Sequence, residues 1–129
     1  MNHNVILTVY KPKNISSKDV SRKLNRLFGK YKMGHVGTLD PIAEGVLPIV
    51  VGSYSRLQDT LLNSNKIYQC KVDLGFATDS LDISGKVIAR SEVVGVTLEK
   101  LQDKARLLIG EITQIPPIFS AVKYKGTPL

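Results

Sequence analysis

One cysteine, Cys70, stands among 129 residues, so no internal disulfide can form and a reducing, cytoplasmic setting is expected. With only His3 and His35 as histidines, a four-ligand metal site has too few ligands, and no metal is expected. Long apolar runs are missing too. The longest, Val46–Val51, is broken by Pro48, far short of the roughly 20 apolar residues that a membrane-spanning helix needs. The N-terminus lacks the basic region of a signal peptide and sets Val5, Leu7 and Val9 at alternate positions, the pattern of a strand. Hydrophobic residues still make up 43%, enough for a core and too many for a disordered chain. The length fits one domain.

Acidic residues are scarce as well: 11 against 18 Lys and Arg, a net charge of +7. Residues 11–32 hold eight basic side chains and one acid, Asp19, so this block alone carries the whole net charge. Such a density suits a polyanion such as RNA or DNA; a solvated helix face would carry the same charge.

The periodicities predict an α+β order of elements. Val5–Tyr10 reads as a strand, and Lys11-Pro12-Lys13-Asn14 as a turn. Ser16 or Ser17 then caps a helix whose apolar stripe is Val20, Leu24, Leu27 and Phe28, stopped by Gly29. Ser53–Leu62 reads as a short helix and Ile67–Leu74, by its alternation, as a strand. The Asp- and Ser-rich loop Ala77–Gly85 leads to a strand at Lys86–Arg90, which makes a hairpin. Thr97 caps a helix carrying Leu98, Leu101, Ala105 and Leu108, ended by Gly110; Glu111–Ile118 and Ser120–Tyr124 are strand-like around Pro116-Pro117. The last residues resemble a strand running into a turn, as though the fold continued beyond them.

Gly34–Pro48 is the densest stretch of special residues. Pro41 stiffens the backbone and keeps Asp40 out of the α region, while Gly34, Gly37 and Gly45 permit left-handed turns or close approach. The expected product is a tight loop that presents one carboxylate ahead of a buried strand. A structural alternative uses the same residues: Asp40 as N-cap of one helical turn, Pro41 at its first position and Gly45 as its stop.

This stretch closely resembles the catalytic motif of the TruB family of tRNA pseudouridine synthases, G-H-x-G-x-L-D-P-x-A-x-G-x-L-P, matching every fixed position from Gly34 to Pro48. Tyr10–Ser17 is similar to the family's D-K-P-x-G-x-[ST]-S, Lys66-Ile67-Tyr68 to its K-x-Y, Gly75–Asp82 to its G-x-x-T-D-[TS]-x-D, and Gln114–Lys123 to its Q-x-P-P-x-[YF]-S-A-x-K. Three positions depart from the pattern: Tyr10 replaces Asp, Asn14 replaces Gly, and Ser84 a frequent acid. Asn tolerates positive φ better than other non-glycine residues, so the turn at Asn14 should survive.

The resemblance implies an α+β pseudouridine-synthase-like fold, a mixed, largely antiparallel sheet flanked by helices and incomplete at the C-terminus. Residues 1–129 would be the N-terminal portion of the catalytic domain, without a later Arg motif and a C-terminal RNA-binding portion. The implied activity is isomerisation of uridine to pseudouridine at position 55 in the T-loop of tRNA; an inactive RNA-binding fragment is the other reading. No cofactor is implied, since the uracil is detached and rejoined without gain of atoms or redox change, and Gly34-x-x-Gly37 is no dinucleotide loop. Asp40 would be the catalytic carboxylate, as nucleophile or base. His35 would help hold the flipped nucleotide and Tyr68 would stack on its uracil. Arg56, Asp82, Lys18 and Arg22 would contact RNA. tRNA would be the partner, with no membrane, no obligatory protein partner and a monomeric state.

Overall fold

The computed structural model describes residues 4–29 and 31–115, together with the backbone of Lys123–Tyr124 and Thr127–Pro128. It divides into two units, Met1–Tyr68 and Gln69–Leu129. Elements are mixed α and β, and every strand pairing among the described residues is antiparallel.

In the first unit, strand β1 (Val5–Lys11) leads through a turn to helix α1 (Ser17–Phe28), then to β2 (Met33–His35) and β3 (Gly45–Val51). The strands form one sheet in the order β1-β3-β2. Alternation sets its two faces. Leu47, Ile49 and Val51 of β3 turn to one side with their register partners Val9, Leu7 and Val5. There they meet Val20 and Leu24 of α1, with Ile15, Met33 and Leu39 closing the core. The residue two positions beyond Val9 on this face is Lys11, and it is fully buried.

Pro48 lies inside the central strand, where proline is normally excluded. The register shows how it is tolerated. The backbone N and O of one strand residue point the same way, and the Pro48 carbonyl accepts from Val36 N–H at 2.8 Å, beyond the end of β2. The absent N–H therefore faces the side where β2 has just ended at His35, and the longer β1 ladder is untouched.

Ser16 is the N-cap of α1 and forms a capping box with Asp19; Gly29 ends the helix. The buried stripe runs through Ser17, Val20, Ser21 and Leu24 but stops there. Leu27 and Phe28, expected in it, are exposed, because the last turn of α1 outruns the three-residue β2 against which the helix packs. After β3 the chain makes a 3-10 turn, Gly52–Leu57, and a short helix, α2 (Gln58–Leu62), as the sequence suggests.

The expected strand at Ile67–Leu74 does not form: the segment has no regular structure and Ile67 is 99% exposed. An alternating pattern fixes faces only when a neighbouring strand supplies the ladder, and no described strand lies alongside it. The second unit holds the expected hairpin, β4 (Phe76–Thr78) with β5 (Val87–Arg90), then α3 (Leu98–Arg106), capped by Thr97. α3 ends at Arg106, two residues before Leu108, and residues 111–115 are irregular where a strand was expected. The expected strand segments at 116–122 lie outside the described residues. β6 (Lys123–Tyr124) pairs with β7 (Thr127–Pro128). Among the described residues no helix is long and apolar enough to cross a membrane.

Candidate active site

The segment between β2 and β3 becomes a loop because its residues cannot do otherwise. Gly34 is kept small within β2, where an added Cβ would sit 3.3 Å from Gln58 Oε1; Gly37 turns the chain with φ +73°. Further along, the Ala43 N–H closes on the Asp40 carbonyl at 3.0 Å. Asp40-Pro41-Ile42-Ala43 is thus a β-turn with Asp and Pro at the two positions they favour, and the negative φ of Ile42 excludes type II. This corrects the helix-cap alternative: no helix starts at Asp40, and Gly45 begins β3 instead of ending a helical turn.

The β1–α1 connector grips this loop at alternate residues. Ser17, buried at the start of α1, both accepts from Leu39 N–H at 2.9 Å and donates to the Leu39 carbonyl at 3.0 Å. One hydroxyl thereby replaces a strand neighbour. Asn14 N–H donates to the Pro41 carbonyl at 2.7 Å, which the left-handed Asn14 (φ +66°) makes possible. The ammonium of Lys11 donates to the carbonyls of Ala43 at 2.7 Å, Ile15 at 2.8 Å and Pro12 at 3.1 Å. A buried cation is tolerated only when its donors are satisfied, and here three carbonyls from loop and connector do so. At the loop's end, the Tyr10 hydroxyl donates to Glu44 Oε2 at 2.8 Å, and Lys13 lies 3.5 Å from Oε1. That phenol and Lys13 hold the Glu44 carboxyl below its ordinary range, while the carboxylate pushes the Tyr10 phenol up.

Residues 39, 41 and 43 are therefore fixed through their backbone, and Asp40 between them is exposed. Among the described residues no hydrogen bond or ion pair engages its carboxylate. A carboxylate on a braced backbone, unengaged by its surroundings, can act toward a ligand as nucleophile, base or acceptor.

His35 ends β2 half-buried, with Nδ1 3.0 Å from Ser21 Oγ of α1, and its carbonyl accepts from Gln58 Nε2 at 2.8 Å. His35 and Asp40 thus flank one short loop. Lys18 and Arg22 lie one helical turn apart on the exposed side of α1, with Arg26 a turn further; Arg22 also pairs with Asp19 at 2.8 Å. Lys30 lies outside the described residues. Arg56 is exposed on the 3-10 turn. Tyr68 is 69% exposed in the irregular segment after α2, and no hydrogen bond of the described residues joins it to the Asp40 loop. Asp82 belongs to the second unit, where its Oδ1 accepts from Ser84 N–H at 2.8 Å, Ser84 Oγ at 2.5 Å and Ser80 Oγ at 2.7 Å. Those donors hold its carboxyl below the ordinary range and occupy it in shaping its own hairpin loop.

Lys11, Ser17 and Ser21 were not among the candidate site residues read from the sequence. Lys11 carried a readable signal, because the alternation Val5, Leu7, Val9 places it on the buried face. Ser17 stood as a cap candidate and at the last fixed position of the Tyr10–Ser17 motif, whereas Ser21 carried only its helical spacing with Ser17 and Leu24.

Comparison with known proteins gives this loop its context. A family model described as TruB family pseudouridylate synthase (N terminal domain) matches residues 25–129. A tRNA pseudouridine synthase B from Caldanaerobacter subterraneus subsp. tengcongensis is 44% identical over 124 residues, covering 96% of this chain and 44% of the relative. The protein of the same name from Clostridium tetani is 42% identical over 126 residues, covering 98% and 44%. That from Fusobacterium nucleatum subsp. nucleatum is 43% identical over 124 residues, covering 96% and 43%. The chain therefore spans somewhat less than half the length of these relatives. With a family match over most of its residues and a loop that keeps every fixed position from Gly34 to Pro48, the chain belongs to the TruB family of pseudouridylate synthases.

Proposed function

We propose that this chain is the N-terminal, Asp40-bearing portion of a catalytic domain that isomerises uridine to pseudouridine in tRNA, at position 55 of the T-loop. The observation that carries the reading is the Asp40 loop. Its backbone is tied down at Leu39, Pro41 and Ala43, while no described residue engages its one carboxylate. The names of the relatives support tRNA as the substrate class.

The reaction breaks the N1–C1′ bond of uridine, turns the detached uracil and forms a C5–C1′ bond. The proton lost from C5 is matched by one gained at N1, so atoms and electrons balance without a redox partner. A single carboxylate serves, either by attacking C1′ as the uracil leaves or by taking a proton from the sugar or the base. Bracing Asp40 through its neighbours' backbone limits the reorganisation needed once the nucleotide is bound. On this reading His35 holds the flipped nucleotide across the same loop. Lys18, Arg22 and Arg26 form an exposed basic row suited to phosphates. Tyr68 supplies an exposed aromatic face for the uracil, and Arg56 a further cation; Asp82 acts in its own loop.

The test is turnover on an unmodified tRNA carrying uridine in the T-loop, counting pseudouridine by chemical labelling position by position. It is run with the chain as it stands and with the chain joined to the C-terminal remainder of the Caldanaerobacter relative. Pseudouridine at position 55 in either form supports the reading. Its absence from both, with tRNA still bound, leaves the RNA-binding reading.

A further inference from the structure

His35 is held by a residue that no motif marks. Ser21 Oγ lies 3.0 Å from His35 Nδ1 and 3.3 Å from the Ser17 carbonyl, and Ser21 is 8% exposed, so water offers its hydroxyl little competition. The hydroxyl has one proton to give. Ser17 O is already the i−4 acceptor of the Ser21 amide within α1, and 3.3 Å is long for an O–H···O bond, whose range is about 2.5–3.0 Å. The 3.0 Å contact with Nδ1 is the better placed of the two.

We propose that Ser21 donates to Nδ1 of His35, fixing the tautomer that carries its proton on Nε2, so that His35 offers its ligand the Nε2–H as a hydrogen-bond donor. Among the described residues nothing bonds to Nε2. The group it suits is an oxygen acceptor, a uracil carbonyl or a phosphate or ribose oxygen, and not a hydroxyl or N–H seeking a lone pair. That ligand class rests on the reading of His35 as a nucleotide contact; the tautomer does not. Ser21 is then a positioning residue, acting through the imidazole. The Gln58 amide on the His35 carbonyl fixes the backbone from the other side, leaving the ring orientation to Ser21.

The experiment is long-range nitrogen–proton NMR on the 15N-labelled chain, in buffer alkaline enough for neutral imidazole, with the His35 signals assigned by their loss in His35→Asn. A pyridine-type Nδ1 and a pyrrole-type Nε2 are expected in the wild type. Ser21→Ala should give an averaged mixture of tautomers, and Ser21→Thr, which keeps the hydroxyl, should restore the single form. A pyrrole-type Nδ1 in the wild type, or an unchanged pattern in Ser21→Ala, overturns the proposal. These readings need no RNA. Binding of a T-arm hairpin RNA is measured separately and should weaken roughly five-fold in Ser21→Ala, the effect of about one hydrogen bond. A shifted tautomer with unchanged RNA affinity would keep Ser21 as the tautomer's determinant and remove His35 from the nucleotide site.

Discussion

Replacing Lys11 by methionine keeps the unbranched apolar stem and deletes the charged end, which isolates what the ammonium does. In the wild type it satisfies the carbonyls of Ala43, Ile15 and Pro12 at 2.7, 2.8 and 3.1 Å from a fully buried position. Each carbonyl left without a donor costs about 1–3 kcal/mol. Two effects offset that cost: the methionine carries no ammonium to dehydrate, a penalty of several kcal/mol, and Pro12 is exposed, so its carbonyl can turn to water. A net loss of about 2–4 kcal/mol remains, which for a unit of this size lowers the melting temperature by roughly 10–25 °C. The loss should be concentrated in the Asp40 loop. Thermal melting by circular dichroism reads the stability, and amide exchange at Ala43, whose N–H closes the turn on Asp40, reads the loop. A Lys11→Met protein that melts within about 2 °C of wild type, with Ala43 exchange unchanged, would refute the role of Lys11 as the clamp between connector and loop.

Three further outcomes follow from named interactions. Asn14 has φ +66°, so Asn14→Gly should be neutral within about 0.5 kcal/mol and Asn14→Val should cost about 1–2 kcal/mol in urea melts; equal effects would contradict the strain argument. The Tyr10–Glu44 hydrogen bond has a pH window. The Glu44 carboxyl is depressed, so its contribution is present above the ordinary carboxylate range and lost as pH falls through the lowered value; the Tyr10 phenol is raised, so its contribution is present below the ordinary phenol range and lost as pH climbs through the raised value. Carbon NMR of the two side chains between about pH 2 and pH 12 should show both shifts, and Tyr10→Phe should return Glu44 toward its ordinary value. Neutralising Lys18, Arg22 and Arg26 to Gln should flatten the salt dependence of tRNA binding by about 0.7–0.9 in slope for each phosphate that no longer meets a cation, and an unchanged slope would remove α1 from the RNA interface.

Local patterns read well where a few adjacent residues decide the conformation. The Ser16 cap, the stop at Gly29 and the β4–β5 hairpin all depend on short-range chemistry. So does the left-handed Asn14, whose side chain is the one best suited to replace glycine there. Patterns that need a distant partner read badly. Ile67–Leu74 alternates like a strand but has no described neighbour to pair with, and Leu27 and Phe28 continue an apolar stripe past the end of the surface that would bury them. The Asp40 loop was legible as a loop through its glycines and prolines, whereas its bracing was not. Ser17 and Lys11 reach it across 22 and 32 residues of sequence, and only the register of β1 against β3 brings Lys11 beside Ala43.

Asp40 as the supplier of the reacting carboxylate is the central claim, and Asp40→Asn tests it most directly. Asn keeps the size and the preference for the first position of the turn but removes the charge and the nucleophilic oxygen. Pseudouridine formation is counted in whichever form of the protein turns over, alongside tRNA affinity and thermal stability of the same preparation. Product is expected to fall by several orders of magnitude, about 10³-fold or more, with affinity and melting temperature little changed. Turnover in Asp40→Asn within about ten-fold of wild type would contradict the claim.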